Sequence, residues 1–480
     1  MTVTRDDALR ELEALVGAAR VRRDAPSLAA AGGDQTENEP AWPDAVVDVA
    51  TRDELVAVVK LAARAAVPLV PRVAGTNLGG LTIPGRGGWV LDLTRMNRIV
   101  ELHVEDLVAV LEPGVSFAQL KQALDEQQTG LTIGFPLAPP EVSVVANCLL
   151  DGLGNLSLRH SAMGEWISGL EVIRADGTLL RTGAMALGVP VPFARAPLPD
   201  LSGLFVSLQG ATGLVSRAAI QLWPAPAFRE RSFVFVFDRA ALCPALGALA
   251  RLDVLDDLGA LSWPTGKLLL GVDRPGPRDP AEPEFFLYLD VGAHTREVWG
   301  AKRRAVADTL KGLVKAGRRL EGPLDVPRLV RLEPRLGKFA EFPTRLDFLL
   351  DHPGGGLTWV GTYGPMSRFP AGLEAGIALC DRHGFPPIVV ARPMKGGHFG
   401  VLRFIALFDK KDAADVARAR AVNQGLCDAL LDLGFVMYKT PGWAVERYRS
   451  RLDPGFQRLL REVKQLLDPT GIMNPGRWGL

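Results

Sequence analysis

The run from Asp44 to Gly80 constrains the fold more than any other part of the chain. "DAVVDVA" reads as a buried strand, "TRDELVAVVKLAARAA" as an amphipathic helix with Thr51 as its N-cap, and "VPLVPR" as a second strand that opens into the loop "VAGTNLGG". Strand, helix and strand in that order make a βαβ unit, whose strands lie parallel. The loop is neither a Walker A sequence, since no GK[ST] follows, nor GxGxxG. Its glycines can still turn several backbone N–H groups toward one anion. A diphosphate could be held there by dipoles alone, without the usual lysine; the alternative is a tight turn with no ligand.

The remaining sequence narrows the class. With 480 residues, 48% hydrophobic and 23% charged, the chain has material for two or three domains. A formal net charge of +1 leaves no broad electrostatic footprint for nucleic acid or an anionic membrane. No apolar run approaches the roughly 18 residues of a membrane span. The start, "MTVTRDDALRELEALVGAAR", is acidic early and has helical periodicity, so it does not read as a secretory signal, and a cytoplasmic location is expected. Cys148, Cys243, Cys380 and Cys427 are scattered and form no CxxC pair. Redox chemistry here would need an organic cofactor.

Four segments are expected: an N-terminal helix and lead-in over 1–43, a first domain over 44–226, an α+β domain over 227–426, and a return segment over 427–480. Beyond the βαβ unit come strand candidates "GWVLDLT", "IVELHVED" and "LVAVLEPGV", then the helix "SFAQLKQALDEQQ" with Ser116 as N-cap. Pro224 and Pro226 mark the next boundary. Past it, strands such as "SFVFVF", "EFFLYLD" and "HFGVLRFIALF" alternate with helical stretches such as "EVWGAKRRAVADTLKGLVKAG".

The order "VPLVPRVAGTNLGG", "VLDLTRMNRI", "AVLEPGV", "GFPLAPPEVSVVANCLLDGLGNLSLRHSAMGEWISGLEVIRADGTLLRTG" and "GLFVSLQGATGLVSRAAIQLWPAP", closed by "LLDPTGIMNPGRWGL", resembles the vanillyl-alcohol oxidase and p-cresol methylhydroxylase family. The resemblance implies an α+β architecture: a two-subdomain FAD-binding domain of the PCMH type and an α+β cap carrying the substrate. It also implies FAD. Carried over by position, Arg72, Val73, Ala74, Gly75, Thr76, Asn77, Leu78, Gly79 and Gly80 would surround the diphosphate, with Arg72 structural. Pro136, Asn147, Gly152 and Gly154 would contact the ribityl chain and ring. Glu171, Val172 and Ile173 would lie along the adenine, and Gly210, Gly213 and Val215 beside the pyrophosphate or adenine, with Asn474 from the C-terminal motif. Many relatives link FAD covalently through a histidine, tyrosine or cysteine. Residues 71–90 hold no histidine, and Leu402 rather than His398 falls where relatives carry a linking one, so non-covalent FAD is expected.

Two substrate classes compete. Flavin-dependent 2-hydroxy-acid dehydrogenases of the same superfamily carry GHxGDGNxH and a later GEHG that bind a divalent metal. Here the sites read "GHFGVLRFI" and "GFVMYKTPG"; only His398 survives, and no metal is expected. Phenol oxidases of the family carry a Tyr–Arg pair between an FxKKD-type stretch and the terminal helix, matched here by Tyr438–Lys439. A tyrosine and a cation stabilise a phenolate, which gives up a hydride far more readily than a phenol. The flavin-side base falls within "RHSAMGEW", on Glu165 or His160, and His398 and Arg403 complete the catalytic candidates. The expected reaction is hydride transfer from a small, para-substituted phenol or similar alcohol to flavin N5. A lactate- or glycolate-type dehydrogenase and a catalytically silent FAD-domain subunit of a redox complex are the alternatives. The electron acceptor is oxygen, a cytochrome, a quinone or an electron-transfer flavoprotein. No nucleic-acid partner is expected, and pairing into a homodimer is the expected assembly.

Overall fold

The structure, a computed structural model, describes residues 4–76, 78–272, 275, 276, 278–340 and 351–480. The βαβ unit comprises strand Ala45–Asp48, helix Arg52–Ala65 and strand Leu69–Arg72. The Thr51 side chain caps the helix, accepting the Glu54 N–H at 3.1 Å. Both strands run parallel to Trp89–Asp92, with Val46 and Val70 on either side of Val90, and Val21–Arg22 completes a four-stranded sheet. Leu55, Val58, Val59 and Leu61 share a core with Val47, Leu69, Trp89 and Leu91, joined by Leu9, Leu12 and Val16 of helix Arg5–Val16. Full burial of each such side chain contributes about 1.5–3 kcal/mol. Tertiary packing therefore outweighs helix propensity in holding the unit.

A second, antiparallel sheet has the order Ile99–His103, Val108–Leu111, Leu214–Gln221, Ile167–Ile173, Leu179–Arg181. Helix Phe117–Glu126, capped by Ser116, and helix Val144–Leu149 cover it. The two sheets form the halves of the N-terminal module.

The cap is one eight-stranded antiparallel sheet, ordered Leu320–Asp325, Phe228–Val236, Phe285–Ala293, Asp257–Ser262, Ile388–Met394, Phe399–Asp409, Gly355–Gly364, Val436–Met437. Side chains alternate across a strand, and that alternation sorts this sheet into two faces. Val389, Ala391, Leu402, Phe404 and Val360 pack under helices including Phe369–Arg382 and Ala413–Asp432. Their neighbours Val390, Arg392, Arg403, Ile405 and Trp359 lie on the face turned away from those helices.

The C-terminal return starts later than expected. Leu426, Cys427 and Leu430 belong to the cap core, and Val436–Met437 pairs as an edge strand with Thr362 and Tyr363. Helix Pro454–Leu467 brings the chain back to the N-terminal module: Lys464 donates to the Ala211 carbonyl at 2.8 Å, Leu467 enters the core of the second sheet, and Met473 bridges to Leu69 in the first. The lead-in also reaches the cap, where the Gln35 carbonyl accepts from Leu357 at 2.9 Å and the buried Glu37 carboxylate accepts from Asn423 at 2.8 Å. Among the described residues no helix is long and apolar enough to cross a membrane.

Candidate active site

Loops from both halves of the N-terminal module and the part of the cap-sheet face that carries Trp359, Val390, Arg392 and Arg403 enclose one cleft. It holds about 1530 Å³ of space not filled by protein, part of it open to solvent. Val73 to Thr76, Pro136 to Ala138, Ser143 to Leu150 and Gln209 to Val215 contribute to one side, and Trp359, Val390, Arg392, Arg403, Tyr438 and Lys439 form the cap side. Three charged side chains line the cleft among the described residues, all of them cations from the cap.

Register places the cap residues. Arg403 lies directly opposite Gly361 on one neighbouring strand and Val390 on the other. A side chain at Gly361 would fall 2.9 Å from the Tyr438 ring and 3.4 Å from Arg403 Nε, so glycine there lets both lie across the strand. Tyr438 follows the edge strand and its N–H donates to the Gly361 carbonyl at 3.3 Å. Its ring stacks on Tyr363 with centroids 4.5 Å apart and planes at 11°. Its hydroxyl accepts from Arg403 Nη2. Tyr363 in turn donates to the Asp151 carbonyl at 2.5 Å, joining the cap to the N-terminal module. The Arg403 guanidinium sits 4.4 Å and Lys439 Nζ 5.9 Å from the centroid of Trp359. Burial, reinforced by Arg403, lowers the Lys439 ammonium from its ordinary range to about 8. Arg392 is buried and donates to Asp257 at 2.7 Å and to the Gly154 carbonyl at 2.9 Å. Burial pushes the Asp257 carboxyl up against the pull of Arg392.

The structure brings together Tyr438, Lys439 and Arg403, but not Glu165 or His398. Glu165 is exposed, accepts from Ser161 at 2.6 Å and pairs with Lys395 at 3.0 Å. His398 is exposed because Lys395, Gly396 and Gly397 all adopt left-handed φ values, a tight turn that carries it outside the cleft. His160 stacks on Trp223 at 4.7 Å and does not line the cleft either. Of the cofactor candidates, Val73, Ala74, Gly75, Thr76, Pro136, Asn147, Gly152, Gly210, Gly213 and Val215 line it. Asn77 lies outside the described residues. Arg72 donates away from the cleft to the Ala30 carbonyl at 2.8 Å, and Leu78 is buried in an apolar cluster of the cap. Gly79 and Gly80 are not on the lining, the Gly80 N–H being engaged by Asp34 at 2.7 Å. Gly154 packs on the Gly134 backbone. Glu171, Val172 and Ile173 lie within a sheet strand, where the buried Glu171 carboxylate accepts from Arg181 at 2.9 Å and Ser216 at 2.9 Å. Asn474 stands one layer behind, donating to the Gln209 carbonyl at 2.6 Å.

Sequence reasoning missed Trp359, Tyr363 and Arg392. The alternation in "GGLTWVGTYG" put Trp359, Gly361 and Tyr363 on one face, and an arginine inside the apolar run "IVVARPM" was the signal for a buried ion pair.

The cleft suits a dinucleotide with a diphosphate. Gly75 has φ of 70°, where a side chain would be strained and would run into the Arg72 guanidinium behind it, and among the described residues no charged side chain of the N-terminal module lines the cleft. The buried Gln209 Oε1 on the same wall has no partner, leaving an acceptor for a donor edge. The rest of that wall is mostly apolar, as a planar ring system requires.

Residues 43–183 match the family described as an FAD binding domain, and residues 342–478 that described as FAD linked oxidases, C-terminal domain. The 1'-carboxy-chondrochloren decarboxylase of Chondromyces crocatus is 31% identical over 98% of this chain and 96% of its own length. The 4-cresol dehydrogenase [hydroxylating] flavoprotein subunit of Pseudomonas putida is 24% identical over 92% of this chain and 89% of its own. The glycolate oxidase subunit GlcD of Bacillus subtilis is 30% identical, over 52% of this chain and 56% of that one. In three dimensions, p-cresol methylhydroxylase with substrate bound superposes with a TM-score of 0.85 at 21% identity, covering 99% of this chain and 96% of that one. Glycine-rich loop, twin-sheet module and cap converge with these matches on one conclusion: the chain belongs to the PCMH-type FAD-linked oxidoreductases, and FAD is its cofactor.

Proposed function

We propose that the cleft oxidises a small, para-substituted phenol or a similar alcohol, bound with its acidic oxygen at Tyr438 and Lys439. The observation that carries this reading is the constellation at the cap wall: Tyr438 fixed between the Tyr363 ring and Arg403, with Lys439 next to it and no acidic side chain on the described lining. Such a site stabilises an ionised oxygen. FAD, when bound, supplies the acceptor for a hydride and its two electrons. Gly75, Thr76, Pro136, Asn147, Gly152, Gly210, Gly213 and Val215 hold it, with Asn77 in the same loop, and no residue here is assigned to link it covalently. With Glu165 and His398 outside the cleft, activation comes from stabilising the substrate anion rather than from a carboxylate base. The name of the Pseudomonas relative, which acts on 4-cresol, supports the phenol class.

The relative named as a glycolate oxidase subunit supports a second reading, a 2-hydroxy-acid dehydrogenase. Against it, among the described residues no three His, Cys, Asp or Glu side chains stand close enough to hold a metal. Anaerobic mixing of the holoenzyme with a panel of para-substituted phenols and 2-hydroxy acids separates the cases. Bleaching of the flavin band by phenols is expected; bleaching by hydroxy acids alone favours the second reading, and bleaching by neither favours the silent-subunit alternative.

A further inference from the structure

We infer that Lys439 is the base of the reaction: uncharged, it takes the proton of the substrate's ionisable O–H, and as the ammonium so formed it holds the resulting oxyanion. The inference rests on the reading of the cleft as the site where a phenol is oxidised, and it supplies what that reading leaves open, the destination of the proton.

The cleft offers one place for it. The described lining contains no Asp, Glu, His or Cys side chain, and its titratable groups are Arg392, Arg403, Tyr438 and Lys439. A guanidinium does not give up its proton and so cannot receive another. Tyr438 accepts from Arg403 through its hydroxyl oxygen, which leaves its O–H to donate to the oxyanion. An amine, by contrast, becomes a general base once burial has drawn its titration toward neutrality.

No neighbour holds Lys439 in the charged form with a carboxylate. On strand Gly355–Gly364 the Trp359 ring centroid lies 5.9 Å from Nζ, and Arg403 of strand Phe399–Asp409 stands over the same ring at 4.4 Å, where it repels a second positive charge. On strand Ile388–Met394, Arg392 is matched by Asp257 at 2.7 Å. The chain neighbours Tyr438 and Thr440 bring no carboxylate, and among the described residues no charged side chain of the N-terminal module lines the cleft. Burial together with Arg403 lowers the ammonium to about 8, yet the side chain stays partly open to the cleft.

The step balances within the site. The substrate O–H bond breaks and an N–H bond forms at Nζ, so the proton stays in the cleft. The substrate C–H bond then breaks with its electron pair passing to the flavin as hydride, and the oxyanion becomes a neutral product oxidised by two electrons. Once the product leaves, the ammonium returns its proton to water.

The test binds phenol, which has no alkyl carbon to oxidise, to the oxidised holoenzyme at pH 7 and pH 9. It reads the ultraviolet phenolate band of the bound ligand, and calorimetry in buffers of different ionisation enthalpy reads the protons released. Free phenol ionises near pH 10, so at pH 9 both partners arrive as amine and phenol. The phenolate band should appear at both pH values, with about one proton released per phenol at pH 7 and close to none at pH 9. Lys439→Arg, whose cation cannot take a proton, should release about one at both. A full proton released by the parent at pH 9, or bound phenol without a phenolate band, overturns the inference. If Lys439→Arg does not fold, the two parental readings decide. With a para-alkylphenol that bleaches the flavin, the rate at low substrate should rise about tenfold per pH unit and level off near pH 8, whereas in Lys439→Arg it should climb to about pH 10. A parental rate that climbs to pH 10 counts against the base. Bleaching by phenols together with proton release at pH 9 sinks the inference and leaves the proposed function standing; phenols that neither bind nor bleach sink both.

Discussion

Lys439→Met should stabilise the substrate-free holoenzyme and slow it at the same time. Lys439 lies in the cleft wall without a carboxylate partner among the described residues, and burial together with Arg403 lowers it from 10.5 to about 8. At about 1.4 kcal/mol per tenfold change in proton affinity, that is at most about 3–4 kcal/mol of unfavourable charge burial, less whatever water entering the cleft screens. The sign follows from proton counting. Below pH 8 the lysine is protonated in both folded and unfolded chains, and the folded state bears the full penalty. Between about 8 and 10.5 the unfolded chain binds more protons, so stability rises with pH across that window. Methionine keeps the aliphatic bulk and removes the charge, so the variant should melt higher at pH 7 and lose the rise above pH 8. Reduction of the flavin by substrate should slow by roughly 10- to 100-fold, the loss of one charge-assisted hydrogen bond. Calorimetry at pH 7, 8, 9 and 10 reads the first effect and anaerobic stopped-flow absorbance the second. A variant with the parental melting profile and parental reduction rate would refute both the buried charge and its role.

Other outcomes follow from the same geometry. Tyr438→Phe should slow flavin reduction less than Lys439→Met, because the stacking on Tyr363 survives and only the hydroxyl that meets Arg403 is lost; equal or larger slowing would point to a proton-transfer role for that hydroxyl. Acid precipitation should release all yellow colour to the supernatant, whereas a pellet that stays yellow and a fluorescent band on a denaturing gel would show a covalent flavin. Arg392→Met should strand Asp257 in the core and destabilise the cap by about 3–5 kcal/mol, seen as a lower denaturation midpoint, with Arg392→Met/Asp257→Leu recovering much of the loss. A single variant as stable as the parent would mean that the pair is not buried as described.

What was legible in the sequence was local. Thr51 and Ser116 announce their helices because a cap and its first turn are neighbours in the chain, and the βαβ unit is readable from apolar periodicity alone. Tyr438–Lys439 could be placed because it sits at a countable distance from flanking motifs. Trp359, Tyr363 and Arg392 could not, since their place depends on register: Arg403 faces Val390 across a tight hairpin and Gly361 on a strand that helix Phe369–Arg382 and strand Ile388–Met394 separate from it in the chain. Counting also failed where a turn reverses the chain. His398 matches a motif position in sequence, but the left-handed turn at Lys395 to Gly397 takes it outside the cleft. Glu165 lies between the buried Gly164 and Trp166 on a short turn that aims it at Lys395. The return of the C-terminus was placed too early for a related reason. An edge strand as short as Val436–Met437 leaves little periodicity to read, yet it keeps that part of the chain with the cap.

The most direct test of the central claim, that this cleft removes hydride from a carbon of a hydroxy-substituted substrate, is the deuterium isotope effect on anaerobic flavin reduction. The substrate is the compound from the panel that bleaches the holoenzyme fastest, deuterated at the carbon that is oxidised. The account predicts that bleaching slows several-fold with the deuterated compound, and that the slowing persists in Tyr438→Phe and Lys439→Met while their absolute rates fall. Bleaching at the same rate for both isotopologues under conditions where binding is fast, or rates in both variants equal to the parent, would contradict it.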